Sequence, residues 1–214
     1  MKKNKITGKR MLIALLGVWL VGIGVGFNNQ AGLGNDPVGL FYDGVRKVMG
    51  FEPSMLGMVS NGVNTVLAIF LLFTGRKYLN VGTLIYLIPY GLFVNFGTWL
   101  YGILIVDPGI GLRVLCSVLG CLFLYFGVAM VITIDIGVDP LVGSVLVLRD
   151  ITGKEFRMVK IVFDLCLCII GTLCGGTIGV VTIITAFTAG IGIQFFADRL
   201  QMMIKKKENN EKRA

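Results

Sequence analysis

The fold of this chain is decided by the stretch Gly-Leu-Gly-Asn-Asp-Pro at residues 32–37. A related stretch, Asp-Ile-Gly-Val-Asp-Pro, recurs 103 residues later at 135–140. Asp followed by Pro is typical of a helix start, because Asp accepts backbone N–H bonds at the N-cap and Pro leaves no N–H unpaired at the first helical position. We therefore expect a short helix from Pro37 to about Val48 and another from Pro140 to about Asp150.

These two short helices indicate a particular kind of membrane protein. Twelve helical residues reach about 18 Å, roughly half of a bilayer, so neither helix can span one. Broken helices at matched places in two halves of a chain often mark the binding site of a transporter. Asp36 and Asp139 are thus candidate substrate-binding residues. The alternative is that each Asp caps an ordinary surface helix.

The two stretches belong to a longer internal repeat. At an offset of 103 residues the sequence matches Gly17 with Gly120, Gly24 with Gly127, Gly34 with Gly137, Arg46 with Arg149, Glu52 with Glu155, and Asn61 with Asp164. After a four-residue deletion the offset becomes 99, and Asn95 then meets Gln194. Matches of Asp-Pro, Arg and Glu in one register are rare by chance in apolar sequence. The pattern therefore predicts an internal duplication.

The composition identifies an integral membrane protein. Of the 214 residues, 55% are hydrophobic and only 15% are charged, and the mean hydropathy is +0.83. Soluble domains carry about 25% charged residues, clearly more than this chain. Six apolar stretches have the length of a membrane span: 11–31, 55–74, 79–106, 112–134, 158–174 and 177–197. Only Gly175-Gly176 separates the last two, so a five-span chain is the main alternative.

Three spans in each half make the second half enter the membrane from the opposite side. We therefore predict an all-α, polytopic membrane protein of six transmembrane helices. They form two inverted three-helix repeats, each with a half-helix after its Gly-x-Asp-Pro turn. The predicted division is a basic N-terminus (1–10), a first repeat (11–106), a second repeat (107–198) and a basic tail (199–214).

The basic residues indicate orientation. With an even number of spans, 17 of the 20 Lys and Arg residues fall on one side, and only Arg46, Lys47 and Arg113 fall on the other. Because cytoplasmic loops are enriched in Lys and Arg, both termini are predicted to be cytoplasmic. Basic residues at the ends of apolar segments also argue against nucleic acid as a partner, despite the net charge of +8.

The chain has no histidine, which excludes His-based catalysis and the commonest metal sites. We predict no enzyme activity, no metal and no cofactor. Within the spans, the remaining candidate substrate-binding residues are Asp164, Asn61, Asn64, Asn95 and Gln194. An ionisable residue in a membrane helix is costly and is a functional hypothesis by default. The alternative for the amides is hydrogen bonding between packed helices.

The sequence resembles the YczE/YyaS/YitT family of bacterial membrane proteins. The resemblance covers roughly residues 10–200 and rests on the Gly-Leu-Gly-Asn-Asp-Pro stretch, Gly44, Gly50, Gly57, Gly82-Thr83 and Asn95. It implies an integral protein of the bacterial plasma membrane. It carries over no catalytic residues.

Two functions fit these patterns. The first is a small-solute transporter or exporter that works by alternating access between inverted repeats, with the lipid bilayer and an unknown small solute as partners. The second is a non-transporting accessory or regulatory membrane protein that acts through a partner. A homodimer is compatible with so small a chain.

Overall fold

Over the residues that the computed structural model describes, 7–107, 109–134 and 139–211, helices joined by short turns make up the fold and no β-strand is present. The α-helices in this part of the chain are α1 (Gly8–Ala31), α2 (Pro37–Val48), α3 (Leu56–Thr74), α4 (Val81–Leu87), α5 (Tyr90–Leu104), α6 (Ile110–Ile134), α7 (Pro140–Thr152), α8 (Phe156–Leu173) and α9 (Val180–Glu211). Two short 3-10 helices, Pro53–Met55 and Arg76–Tyr78, flank α3. The predicted all-α class is confirmed. Gly137 of the second motif lies outside the described residues.

Five helical segments among the described residues are long and apolar enough to cross a membrane: Gly8–Ala31, Pro53–Thr74, Gly82–Leu104, Ile110–Ile134 and Val180–Ile204. Several membrane spans were predicted, and these segments confirm that coarse picture. Helix α8 does not meet the same criterion, because its 18 residues include Arg157, Lys160 and Asp164. The sixth predicted span is therefore not confirmed.

Two predicted boundaries can be compared with the structure. The stretch 79–106 is interrupted, since α4 ends at Leu87 and α5 begins at Tyr90. Pro89 lies at this interruption, and a proline inside a helix removes one backbone hydrogen bond and clashes with the preceding turn. The predicted break at Gly175-Gly176 is present, and Gly175 has φ of +81°, a conformation that favours glycine.

Helices α1 and α6 form the most extensive helix contact in the described part of the fold, and glycines line both sides of it. A Cβ added at Gly17 would lie 2.8 Å from the carbonyl oxygen of Gly127, and one added at Gly24 would lie 2.5 Å from that of Gly120. The N-terminal glycine of one helix therefore faces the C-terminal glycine of the other, so the two helices run antiparallel. Small residues of this kind allow two backbones to approach closely in membrane proteins.

The two half-helices pack crosswise between the halves of the chain. Helix α2 packs mainly against α8, and α7 packs against α3. Gly44 of α2 faces Gly171 and Cys174, while Val147 of α7 contacts Leu71 and the adjoining Gly75. At an offset of 103, Gly44 corresponds to Val147 and Leu71 corresponds to Cys174. The two packing arrangements are therefore made by matched positions.

The interior and the surface of the bundle are both apolar. Tyr42 and Tyr90 are almost completely buried in the largest core cluster, which also contains Val18, Leu56 and Val94. Outward-facing apolar side chains are numerous, and Phe73 of α3 is 86% exposed. Exposed apolar surface on this scale is unfavourable in water and is compatible with lipid.

Candidate functional site

The two Gly-x-Asp-Pro motifs place an aspartate at the N-cap of each half-helix. Asp139 caps α7 as predicted, because its Oδ1 accepts a hydrogen bond of 2.8 Å from the backbone N–H of Leu141. Asp36 occupies the same position before α2 but accepts no cap hydrogen bond. The N–H groups of Val38 and Gly39 face its carboxylate and stabilise the charge without reaching hydrogen-bond geometry. The two aspartates thus have equivalent positions and different partners.

A lysine that the sequence reasoning did not single out lies within electrostatic range of both carboxylates. Lys160 of α8 acts electrostatically on both Asp36 and Asp139, and it forms an ion pair with Asp164 one helical turn further on. Asp164 in turn acts on Asp36. These four residues, Asp36, Asp139, Lys160 and Asp164, are called the central cluster below. Three of them were predicted as site residues; Asp164 lies within electrostatic range of Asp36, and Lys160 lies within range of both Asp36 and Asp139.

Lys160 could have been found from its spacing. Lys160 and Asp164 are separated by four residues, which places opposite charges on one helix face and favours an ion pair. In the sequence, however, Lys160 stood near the start of an apolar stretch. Such a lysine is also typical of the cytoplasmic end of a span.

Three tyrosines line the central cluster. Tyr42, Tyr86 and Tyr90 are buried, and the rings of Tyr86 and Tyr90 stack with centroids 4.8 Å apart. Tyr42 and Tyr90 both lie within electrostatic range of Asp36 and Asp139. The Tyr42 hydroxyl donates a 3.1 Å hydrogen bond to Oδ1 of Asn64. No sequence signal distinguishes these tyrosines from ordinary core aromatics.

Several buried polar atoms around this cluster have no hydrogen-bond partner among the described residues. They include Oδ1 of Asp36, Oδ1 of Asn35 and Nδ2 of Asn64. Asn35 is 1% exposed and Asn64 is completely buried. Buried polar groups are nearly always paired in proteins, and leaving one unpaired costs about 1–3 kcal/mol. Unpaired atoms gathered at one place are thus a feature that a ligand can account for.

Asn61 and Asn95 lie at a different contact, between α3 and α5. Oδ1 of Asn95 accepts a 2.9 Å hydrogen bond from the N–H of Gly57, and Oδ1 of Asn61 accepts one of 2.8 Å from the N–H of Gly91. Nδ2 of Asn61 donates to the carbonyl oxygen of Ile88, at the break between α4 and α5. Both amides therefore satisfy backbone groups where the two helices meet. Asn64, three residues further along α3, has a different partner, the hydroxyl of Tyr42.

Gln194 is separated from the other predicted site residues. Its side chain is exposed on α9, and its Nε2 donates a 2.7 Å hydrogen bond to Oδ1 of Asp198 one turn further on. The structure does not bring it to the central cluster.

An ion cluster at the C-terminal end of α2 ties this helix to the segment that precedes α9. Nη2 of Arg46 lies 2.7 Å from Oδ1 of Asp43, and the N–H of Thr177 donates a 2.8 Å hydrogen bond to Oδ2 of the same carboxylate. Lys47 contacts both Asp43 and Thr177. Burial raises the pKa of Asp43, but the hydrogen bonds from Arg46 and Thr177 outweigh it, so the pKa lies below the usual value. We call Asp43, Arg46, Lys47 and Thr177 the α2 ion cluster.

A second ion cluster at the C-terminal end of α7 ties that helix to the segment before α4. Asp150 pairs with Lys77 and accepts a hydrogen bond from the Tyr78 hydroxyl, and Nη2 of Arg149 lies 2.8 Å from its Oδ1. Hydrogen bonds from Lys77, Tyr78 and Arg149 hold the pKa of Asp150 well below its usual range. We call Lys77, Tyr78, Arg149 and Asp150 the α7 ion cluster. Arg46 and Arg149 are repeat mates, so the ends of both half-helices are held in a matched way.

Two apolar surface cavities lie away from the central cluster. One, of about 470 Å³, runs between α6 and α9 and is lined by Tyr125, Thr188 and Gly192 among others. The other, of about 290 Å³, lies beside the start of α1. Neither is lined by a residue of the central cluster.

Residues 8–198 match DUF6198, a family of unknown function. The chain belongs to this family. It is also 27% identical over 189 residues to an uncharacterised protein of Haemophilus influenzae, a match that covers 88% of this chain and 83% of that protein. No solved structure matches the chain. The resemblance to the YczE/YyaS/YitT family is not confirmed by these matches and stays a prediction.

Proposed function

We propose that this DUF6198 protein is a small-solute transporter in which the central cluster is the binding site. One observation carries the proposal: the aspartates at the N-termini of two half-helices, at matched positions of the two halves, lie within electrostatic range of the same lysine, Lys160. Transporter sites near the bilayer midplane are commonly formed by the ends of such discontinuous helices. Backbone that leaves the helix at membrane depth is tolerated where protein or a water-filled cavity satisfies it.

In this proposal α8 is the sixth span. Its Lys160 and Asp164 form an ion pair, and Lys160 lies within electrostatic range of Asp36 and Asp139, which supports a place for these charges inside the bundle rather than toward lipid. The reciprocal contacts of Gly17 with Gly127 and of Gly24 with Gly120 are those expected when a twofold axis relates the two halves. They support inverted repeats. Both termini are then cytoplasmic, and the α2 ion cluster lies on the outer side.

The two ion clusters would act as gates of an alternating-access cycle. The α2 ion cluster closes the outer end of the site, and the α7 ion cluster closes the inner end. Opening one while the other stays closed would expose the central cluster to one side at a time. Asp164 is the candidate coupling group for a proton or cation, since its partner Lys160 is also within range of Asp36 and Asp139.

The experiment is a flux measurement on the full-length protein in liposomes. Proton flux is followed with a trapped pH dye, and uptake is measured for radiolabelled methylammonium, alanine, glucose and phosphate. We expect flux of at least one probe with the wild type and at least a tenfold loss in Asp36→Asn and Asp164→Asn. The matched control is Asp198→Asn, which removes an exposed carboxylate from α9 and should keep wild-type flux.

The opposite result is equally informative. A correctly folded wild type that moves none of these probes would contradict transport. It would favour the accessory role, in which the chain acts through a partner.

A further inference from the structure

We propose that the ligand of the central cluster is a small cation with N–H donors, of the primary ammonium class. This inference rests on the proposed function, because it names the substrate class of the same site. It is drawn from the charge balance of the cluster and from the type of polar atom left unpaired there.

The charge balance favours a positive guest. Three carboxylates, those of Asp36, Asp139 and Asp164, share one ammonium group, that of Lys160. The other basic residues near the half-helices are engaged in the α2 and α7 ion clusters. An uncompensated buried carboxylate is costly, and a second cation would remove that cost. An anion would increase it, and the α2 N-terminus, which usually attracts anions, is already occupied by Asp36.

The unpaired atoms beside Asp36 are acceptors. Oδ1 of Asp36 and Oδ1 of Asn35 are both buried without a partner, and Asn35 commits its Nδ2 to Asn29. The two side chains border the same space, because a Cβ added at Gly39 would lie 2.8 Å from Oδ1 of Asp36 and 3.2 Å from Cγ of Asn35. A guest that donates hydrogen bonds satisfies both oxygens. A quaternary ammonium ion has the charge but no N–H to donate.

The tyrosines favour the binding of a cation in a third way. A cation near the faces of Tyr42, Tyr86 and Tyr90 gains from their ring quadrupoles, an effect of about 0.5–2 kcal/mol in proteins. Hydrated inorganic cations gain less from an aromatic wall than an alkylammonium ion whose methyl group can pack against it. Methylammonium therefore combines the charge, the donors and the apolar end that this site matches.

The test is equilibrium binding without any gradient. Full-length protein in nanodiscs is titrated with methylammonium chloride by calorimetry, and tetramethylammonium chloride at equal ionic strength is the matched probe without N–H groups. We expect saturable methylammonium binding and at least tenfold weaker tetramethylammonium binding. Asp36→Asn should weaken methylammonium binding about tenfold, as expected for loss of one charged hydrogen bond, and Asp198→Asn should leave it unchanged.

A second variant keeps the test valid if Asp36→Asn does not fold. Gly39→Ala retains every charge but places a methyl group against Oδ1 of Asp36, so it should also weaken binding. Equal binding of both probes, no binding of methylammonium, or full binding by a folded Asp36→Asn or Gly39→Ala would overturn the proposal. Binding without flux would refute transport and leave the ligand class standing. Flux of glucose or phosphate without methylammonium binding would refute the ligand class alone.

Discussion

The contact between α3 and α5 in the first half of the chain has a counterpart in the second half, between α8 and α9, and the two differ sharply. Helices α3 and α5 touch through Gly57 and Gly91, where a Cβ added to either residue would overlap the other backbone. Asn61 and Asn95 bind the backbone on both sides of this contact. Over their described residues, α8 and α9 make almost no contact with each other.

The matched positions explain the difference. Lys160 stands where the first half has Gly57, and Asp164 stands where it has Asn61. Gly190, the mate of Gly91, has open space where its Cβ would be. The first half therefore uses these positions to close two helices together. The second half uses them to hold the Lys160–Asp164 ion pair, which lies within α8.

The largest expected effect comes from the tight contact. Gly57→Ala would drive a methyl group into the carbonyl of Gly91, so α3 and α5 would have to separate and lose the packing between them. We expect no folded protein to be recovered, judged by size-exclusion chromatography after purification. The matched variant is Gly190→Ala, which should change the free energy of unfolding by less than about 1 kcal/mol. Similar behaviour of the two variants would show that the helix pairs are packed alike.

A smaller loss of stability is expected when the α2 ion cluster is disrupted. This cluster ties α2 to the segment before α9, a helix that makes almost no contact with α8. Asp43 is 1% exposed, and removing one partner of a buried ion pair costs about 3–5 kcal/mol. We expect a destabilisation of that order in Asp43→Ala, measured by thermal unfolding. Asp150→Ala is the control, because that carboxylate is half-exposed and surface pairs contribute about 0–1 kcal/mol.

The same carboxylate predicts a pH dependence. The pKa of Asp43 is lower in the folded protein than its usual value. The carboxylate therefore makes its full contribution to the free energy of unfolding above an unfolded pKa of about 3.9. The contribution is lost as the pH falls through the lower folded pKa. The stability gap between wild type and Asp43→Asn should therefore narrow below about pH 4. A constant gap from pH 7 to pH 3 would argue against an ionised Asp43.

The smallest effects concern the matched amides. Asn95→Leu leaves the N–H of Gly57 without a partner, so we expect a loss of about 1–3 kcal/mol in thermal unfolding. Its repeat mate Gln194 is exposed and pairs only with Asp198, so Gln194→Leu should stay within about 0.5 kcal/mol. A reversed order would mean that α9 is held by a contact through Gln194.

The half-helices and three of the four central residues were predictable because their signals are local. Asp before Pro identifies a helix start wherever the chain later folds, and α2 begins and ends at the predicted residues. Asp164 was conspicuous as a charge within an apolar stretch. The proximity of these residues to one another was not local, because it depends on the packing of α2 and α7 against α8.

The partners of the remaining polar residues were not predictable in the same way. Asn61, Asn64 and Asn95 are equally polar in sequence, yet two bind backbone and one binds a tyrosine. The partner of an amide depends on how its helix is rotated and on which helix packs beside it. The hydropathy of the sequence contains neither kind of information. Lys160 was missed because a lysine near the end of an apolar stretch usually marks a membrane surface.

The glycine crossing of α1 and α6 has a mechanical consequence. At these glycines each backbone lies against the other, and side chains such as Asn28 of α1 and Val131 of α6 pack into the space that the missing Cβ atoms leave. Turning or sliding one helix against the other would therefore displace side chains that already interlock. The crossing joins the two halves of the chain rigidly, so a relative motion of the halves has to take place elsewhere in the bundle.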